Sequence, residues 1–81
     1  ARYGLAMAYV QQDELERAIG EFEALLQNEL GYAAAYYHGG QTFEKLGRLD
    51  EARNYYRRGL EAARDPHALG ELHAARDILG D

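Results

Sequence analysis

The chain has 81 residues, so it forms one small domain or part of a larger protein, with a thin hydrophobic core. It has 47% hydrophobic residues, as a folded chain does, and it contains neither cysteine nor serine, which excludes disulfides, thiolate zinc sites and serine hydrolase chemistry. A formal net charge of −5 argues against nucleic-acid binding, because a basic face supplies most of that affinity.

Membrane and secretion signals are also missing from the sequence. No apolar run approaches the roughly 20 residues of a membrane-spanning helix. No basic start leads into a long apolar stretch, as it does in a signal peptide. We therefore expect no membrane partner and a cytoplasmic location.

Apolar spacing predicts five helices, and no strand-like alternation appears. The first runs from about Tyr3 to Gln11 or Gln12, and the second begins near Leu15 and stops near Gly31. The third covers about residues 33–46, the fourth carries apolar residues from 49 to 63, and the fifth covers about 67–79. Asp65 and Pro66 form the turn before the fifth helix, since proline suits a helix start.

The chain repeats itself at a period of 34 residues. The matched pairs are apolar on apolar or small on small: Tyr3 and Tyr37, Ala6 and Gly40, Tyr9 and Phe43, Leu15 and Leu49, Ala18 and Ala52, Phe22 and Tyr56, Leu26 and Leu60. The sequence therefore predicts two helix–turn–helix units, at about residues 1–34 and 35–66, and a third-repeat or capping helix at about 67–79.

This repeat resembles the tetratricopeptide repeat, whose pattern is Trp-x-x-Leu-Gly-x-x-Tyr, then Ala-x-x-x-Phe, then Pro. The second unit matches it with these residues: Tyr36, Gly39, Gly40, Phe43, Ala52, Tyr56 and Pro66. The resemblance covers nearly the whole chain. It implies an all-α, right-handed superhelical stack of antiparallel helix hairpins, here an α-solenoid of about two and a half repeats. Two departures are that Gly39 replaces the usual Leu and that the fifth helix matches best at a shift of 35.

The repeat pattern also predicts the residues that pack the units together. They are Leu5, Ala6, Tyr9, Leu15, Ala18, Phe22, Leu25, Leu26, Gly40, Phe43, Leu49, Ala52, Tyr56 and Leu60. Gly40 falls at a small position where paired helices approach closely, so Gly40→Leu should disrupt packing. Gly39 should leave space that a neighbouring tyrosine fills, and we expect Gly39→Leu to be tolerated or stabilising.

In the family that this chain resembles, the first helices of the units line a concave groove that binds partner proteins. The corresponding residues are Tyr3, Met7, Val10 and Gln11 in the first unit, Tyr37, Gln41, Glu44 and Lys45 in the second, and Leu72 and Arg76 in the fifth helix. Tyrosine and arginine often anchor interfaces, and methionine adapts to varied partners. The alternative for Tyr37 is that it packs on the neighbouring helix. The Lys and Asn with which some members clamp the tails of chaperones are missing here.

No pattern points to catalysis, a metal or a cofactor. His38-Gly39-Gly40 resembles the oxyanion loop of esterases, but those enzymes need a nucleophilic serine. The histidines lack the i, i+4 spacing of zinc-binding helices. The acidic residues of the second helix fall mostly on its solvated side. We therefore expect neither an enzyme nor a cofactor.

The expected function is a protein–protein interaction scaffold with a protein or peptide ligand. One alternative is a structural module in which Tyr3 and Tyr37 are buried between copies, as a homodimer; the open end could also be buried against the rest of a larger parent chain. A less favoured alternative is an RNA-binding helical repeat, because only the stretch Arg48–Arg64 is basic and acids interrupt it.

Overall fold

The structure is a computed structural model and describes residues 2–80. These residues form five α-helices and no strand: α1 Arg2–Gln11, α2 Leu15–Asn28, α3 Ala33–Lys45, α4 Leu49–Ala62 and α5 Pro66–Leu79. The predicted all-α class with five helices is confirmed; the predicted first unit starts at residue 1, which lies outside the described residues. Within residues 2–80 no helix combines the length and apolarity needed to cross a membrane.

Helices α1 and α2 form an antiparallel hairpin. The start of α1 lies beside the middle of α2, where Arg2 pairs with Glu21 at 3.0 Å. The end of α1 lies beside the start of α2, where the guanidinium of Arg17 is 5.9 Å from the centroid of the Tyr9 ring. The short connection therefore reverses the chain, as the short loops predict.

Helices α3 and α4 repeat this hairpin, down to the backbone of the turn. Asp13 and Gly47, which are 34 residues apart, both adopt positive φ angles, of 62° and 76°. In each turn the next residue donates its backbone N–H five residues back, from Glu14 to Tyr9 and from Arg48 to Phe43. Glycine adopts this left-handed conformation without cost, and aspartate is among the few other residues that tolerate it.

The hydrophobic core lies between the two layers of helices. Phe22 and Tyr56, which are equivalent in the two units, are fully buried, and so are the equivalent alanines Ala18 and Ala52. Full burial of an aromatic side chain contributes on the order of 2–3 kcal/mol to the free energy of unfolding. Leu72 is also fully buried and joins α5 to this core.

The two adjacent glycines of α3 lie against tyrosine rings of α4. A Cβ atom on Gly40 would lie 2.8 Å from two ring carbons of Tyr56, and one on Gly39 would lie 2.5 Å from Cε2 of Tyr55. Helix α3 continues through both glycines. The tyrosine that fills the space at Gly39 is thus Tyr55. It fills that space completely, so the expectation that Gly39→Leu is tolerated was wrong.

Two residues assigned to the packing core are exposed instead. Leu5 is 44% exposed and Leu49 is 41% exposed. The equivalent of Leu5 in α3, Gly39, lies between side chains of α2 and α4, whereas α1 packs mainly against α2 and contacts α3 through the Tyr3 ring. Leu49 is the first residue of α4; its equivalent in the first unit, Leu15, shares a cavity with Leu46 of the second unit.

The other predicted core residues are buried or half-buried. Tyr9, Leu15 and Leu60 keep part of their surface in solvent. Those buried are Ala6, Ala18, Phe22, Leu25, Leu26, Gly40, Phe43, Ala52 and Tyr56.

Candidate partner-binding groove

A cleft of about 300 Å³ lies between α3 and α5. The residues that line it are Tyr37, Gln41, Glu44, Glu71, Ala74, Ala75 and Ile78. Its lining includes two alanines, two carboxylates and the side chain of Ile78, which is 85% exposed.

Three residues of α5 in the cleft lie one repeat length after cleft residues of α3. Glu71, Ala75 and Ile78 each lie 34 residues after a cleft residue of α3, which are Tyr37, Gln41 and Glu44 respectively. The burial pattern of α3 does not recur in α5 at this spacing, because residues 39, 40 and 43 are buried whereas residues 73, 74 and 77 are exposed. The two sets of residues therefore form opposite walls of one cleft.

Leu72 and Arg76 were placed in the groove from the sequence, and the structure corrects both. Leu72 is fully buried, and its two methyl carbons approach Gly59 of α4. Arg76 lies on another side of α5 and lines a separate cavity with Asp50 of α4. The assumed shift of 35 made Leu72 and Arg76 equivalent to Tyr37 and Gln41, but the face of α5 that carries Leu72 packs on α4 instead.

Aromatic side chains connect the first and second units beside the cleft. The Tyr3 ring lies 5.5 Å from the Tyr32 ring and 6.0 Å from the His38 ring, measured between centroids. The rings of Tyr37 and His38 meet edge to face at 5.0 Å. All four side chains are half-buried, so this cluster both packs α1 on α3 and leaves ring surface open.

Hydrogen bonds fix the polar side chains of α3. The Gln41 amide donates to the hydroxyl of Tyr37 at 3.1 Å. The buried Tyr56 hydroxyl donates to the Glu44 carboxylate. Because both partners are held by packed rings, the carboxylate and the amide are presented in defined positions.

The charge of Glu71 reaches the aromatic cluster. Burial raises the pKa of Tyr3, and the negative charges of Tyr32, when ionised, and Glu71 raise it further. Burial lowers the pKa of His38, and Glu71 opposes that shift. Both effects of Glu71 show that a negative potential extends from α5 over the neighbouring helices.

The remaining groove residues predicted from the sequence lie along the same helices. Met7 and Val10 are half-buried on α1, whereas Gln11 and Lys45 are exposed at the last residues of α1 and α3. Neither Gln11 nor Lys45 lines the cleft.

Sequence reasoning missed the residues with which α5 lines the cleft. They are Glu71, Ala74, Ala75 and Ile78. Their spacing of i, i+3, i+4 and i+7 is the signal in the sequence that places them on one face of α5. Within the described residues, no group of three or more His, Cys, Asp or Glu side chains could hold a metal ion.

Comparison with known proteins decides the family. Two family models, both described as tetratricopeptide repeat, match residues 1–29 and 33–66. The crystal structure of a tetratricopeptide repeat domain protein from Salinibacter ruber is 36% identical, with a TM-score of 0.89, over 96% of this chain and 90% of that chain. The chain belongs to the tetratricopeptide repeat family.

A solution NMR structure of a tetratricopeptide repeat domain protein from the same organism gives a similar result. It is 36% identical, with a TM-score of 0.91, over 96% of this chain and 82% of that chain. No curated protein matches the chain. Tetratricopeptide repeats generally mediate protein–protein interactions, and the family is typically a non-catalytic scaffold.

Proposed function

We propose that this tetratricopeptide repeat domain binds a segment of a partner protein in the groove formed by α1, α3 and α5. The observation that carries the proposal is the cleft between α3 and α5, because the first helices of two successive units line it. A groove formed by successive units suits an extended segment, which can contact each of them in turn. The half-buried Tyr37 and the exposed Ile78 are the side chains suited to anchor it.

A structural module is the second candidate, and the exposed Leu5 favours it. Leu5 lies on α1, at the open end of the stack, where a second copy or further parent chain would cover it. RNA binding fits less well, since Glu44 and Glu71 line the cleft and would repel phosphates.

The test is a pull-down with the intact parent protein and with a Tyr37→Ala/Gln41→Ala variant. Gln27→Ala, at an exposed position of α2 outside the groove, is the matched control. We expect a partner that the wild type and the control retain and the double variant loses, while thermal melts show all three folded.

Sedimentation of the same variants separates the two candidates. A double variant that loses its partner and keeps the wild-type mass supports the groove. Loss of an oligomer in the double variant indicates the structural module instead. A partner retained by the double variant contradicts the proposed site.

A further inference from the structure

We propose that the segment bound in this groove is cationic, with a lysine or arginine side chain held between Glu44 and Glu71 and apolar side chains next to it. The inference rests on the proposed function and adds the chemistry of the partner.

The two carboxylates face the cleft without a lysine or arginine partner. Glu44 comes from α3 and Glu71 from α5, so they approach the cleft from different helices. Within residues 2–80, no lysine or arginine nitrogen lies within 4.0 Å of either carboxylate; Glu71 contacts only the His67 imidazole, at 3.7 Å. Tyr56 donates one hydrogen bond to Glu44 and leaves its charge in place.

The arginines of the chain do not neutralise this cleft. In α4, Arg53 contacts Asp50 at 2.9 Å and Arg57 contacts Glu61 at 3.6 Å, and the guanidinium of Arg58 lies over the rings of Tyr36 and Tyr55. Arg76 of α5 lies beside Asp77 at 3.4 Å, away from the cleft. None of these arginines lines the cleft, so the charges of Glu44 and Glu71 are not neutralised there.

The charge of Glu71 reaches side chains beyond those that line the cleft. Glu71 acts on Tyr3 of α1 and on His38 of α3, and in both cases its charge favours the protonated form. A cation that approaches the groove is therefore attracted from a distance, whereas an acidic segment is repelled.

The remaining cleft surface suits the stem of a long basic side chain. Ala74, Ala75 and Ile78 offer apolar contacts, and the Tyr37 ring stands beside them. Lysine and arginine bury their methylene groups on such surfaces while the charged end stays near carboxylates. An aromatic face adds a cation–π contact.

The test selects random peptides displayed on phage with the wild-type domain and counter-selects them with the Tyr37→Ala/Gln41→Ala variant. We expect the enriched peptides to carry lysine or arginine next to an apolar residue. The best peptide, made synthetically, should bind Glu71→Gln about 2–5-fold more weakly, and Glu71→Lys more weakly still. Added salt should weaken its binding as well.

Glu23→Gln is the matched control, because Glu23 is an exposed carboxylate of α2 outside the groove. It should bind the peptide as the wild type does. Enriched peptides that depend on Tyr37 but lack basic residues, or that bind Glu71→Gln unchanged, overturn the cationic partner and leave the groove intact. A selection that yields no peptide dependent on Tyr37 contradicts the proposed function and this inference with it.

A second measurement tests the electrostatic premise without a partner. Removal of the Glu71 charge takes away the effect that opposes burial at His38. The pKa of His38, followed by NMR, should therefore be lower in Glu71→Gln than in the wild type and unchanged in Glu23→Gln. An unchanged pKa of His38 in Glu71→Gln would show that the charge of Glu71 does not act on the neighbouring helix α3.

Discussion

Tyr55 and Tyr56 are neighbours in sequence and both are buried, but their hydroxyls have different surroundings. The Tyr56 hydroxyl donates to Glu44, whereas the Tyr55 hydroxyl has no hydrogen-bond partner within residues 2–80. A buried polar group without a partner costs free energy, and one with a charged partner contributes to stability. The two tyrosines therefore form a natural comparison.

Replacement of each tyrosine by phenylalanine should have opposite effects. Tyr55→Phe removes only the unpartnered hydroxyl, so the free energy of unfolding should stay the same or rise by up to about 1 kcal/mol. Tyr56→Phe removes the hydrogen bond to Glu44 and should lower the free energy of unfolding by about 1–2 kcal/mol. Urea titrations of both variants check this, and a larger loss in Tyr55→Phe would show that its hydroxyl has a partner, such as a buried water.

The glycines of α3 should not tolerate a side chain. Elsewhere in a helix, replacement of glycine by alanine normally stabilises, because glycine has a low helix propensity. Gly39→Ala and Gly40→Ala each place a Cβ against a buried tyrosine ring, so we expect a loss of about 1–3 kcal/mol. Gly20→Ala is the control, because Gly20 lies within α2 with open space around it and should gain about 1 kcal/mol. Thermal melts that show gains at all three positions would contradict the close packing of α3 on α4.

At the scale of elements, α5 differs from the other helices in how it begins. Its N-cap is Asp65, whose side chain accepts a hydrogen bond from the Ala68 backbone N–H at 3.0 Å, and Pro66 follows at the first helical position. The N-caps of α2, α3 and α4 make no such side-chain hydrogen bond. The start of α5 is therefore fixed locally, whereas the inner helices rely on packing.

Loss of this cap should weaken α5 in particular. Asp65→Ala should lower the free energy of unfolding by about 1 kcal/mol, while Asp65→Asn, which keeps a side-chain acceptor, should change it little. Amide hydrogen exchange should accelerate in α5 more than in α2. Uniform acceleration through all helices would indicate that α5 unfolds only together with the rest of the stack.

At the scale of the whole molecule, buried tyrosines make stability depend on alkaline pH. Burial raises the pKa of both Tyr55 and Tyr56 well above the value of 10.0 for a free tyrosine. Because the pKa of each tyrosine is higher in the folded state, the unfolded chain loses these protons at a lower pH than the folded chain does. Stability is therefore fully present below about pH 10 and is lost as the pH rises above it.

The expected result is a free energy of unfolding that is flat near pH 8–9 and falls above about pH 10. Each tyrosine that ionises only on unfolding adds a slope of about 1.4 kcal/mol per pH unit. Tyr55→Phe and Tyr56→Phe should each reduce this slope, because each removes one tyrosine whose pKa is raised by burial. Denaturant titrations across this range provide the measurement, and equal slopes in all three proteins would refute the role of Tyr55.

The sequence by itself determined the helices, the period of 34 and the family, because these depend on local spacing. Equivalent residues such as Phe22 and Tyr56 are visible as a match at a fixed distance, and both are fully buried. The groove face of α3 could also be predicted, since Tyr37, Gln41 and Glu44 follow one side of a helix.

Only the tertiary structure decided which residues of α5 face the groove and which residues at the ends of the stack are covered. Periodicity leaves a one-residue uncertainty in register, and that difference separates the buried Leu72 from the cleft residue Glu71. Exposure of Leu5 and the fit of Tyr55 against Gly39 depend on which helices lie alongside, which is a property of the assembled stack. Local sequence fixes the face of a helix, whereas burial depends on its neighbours.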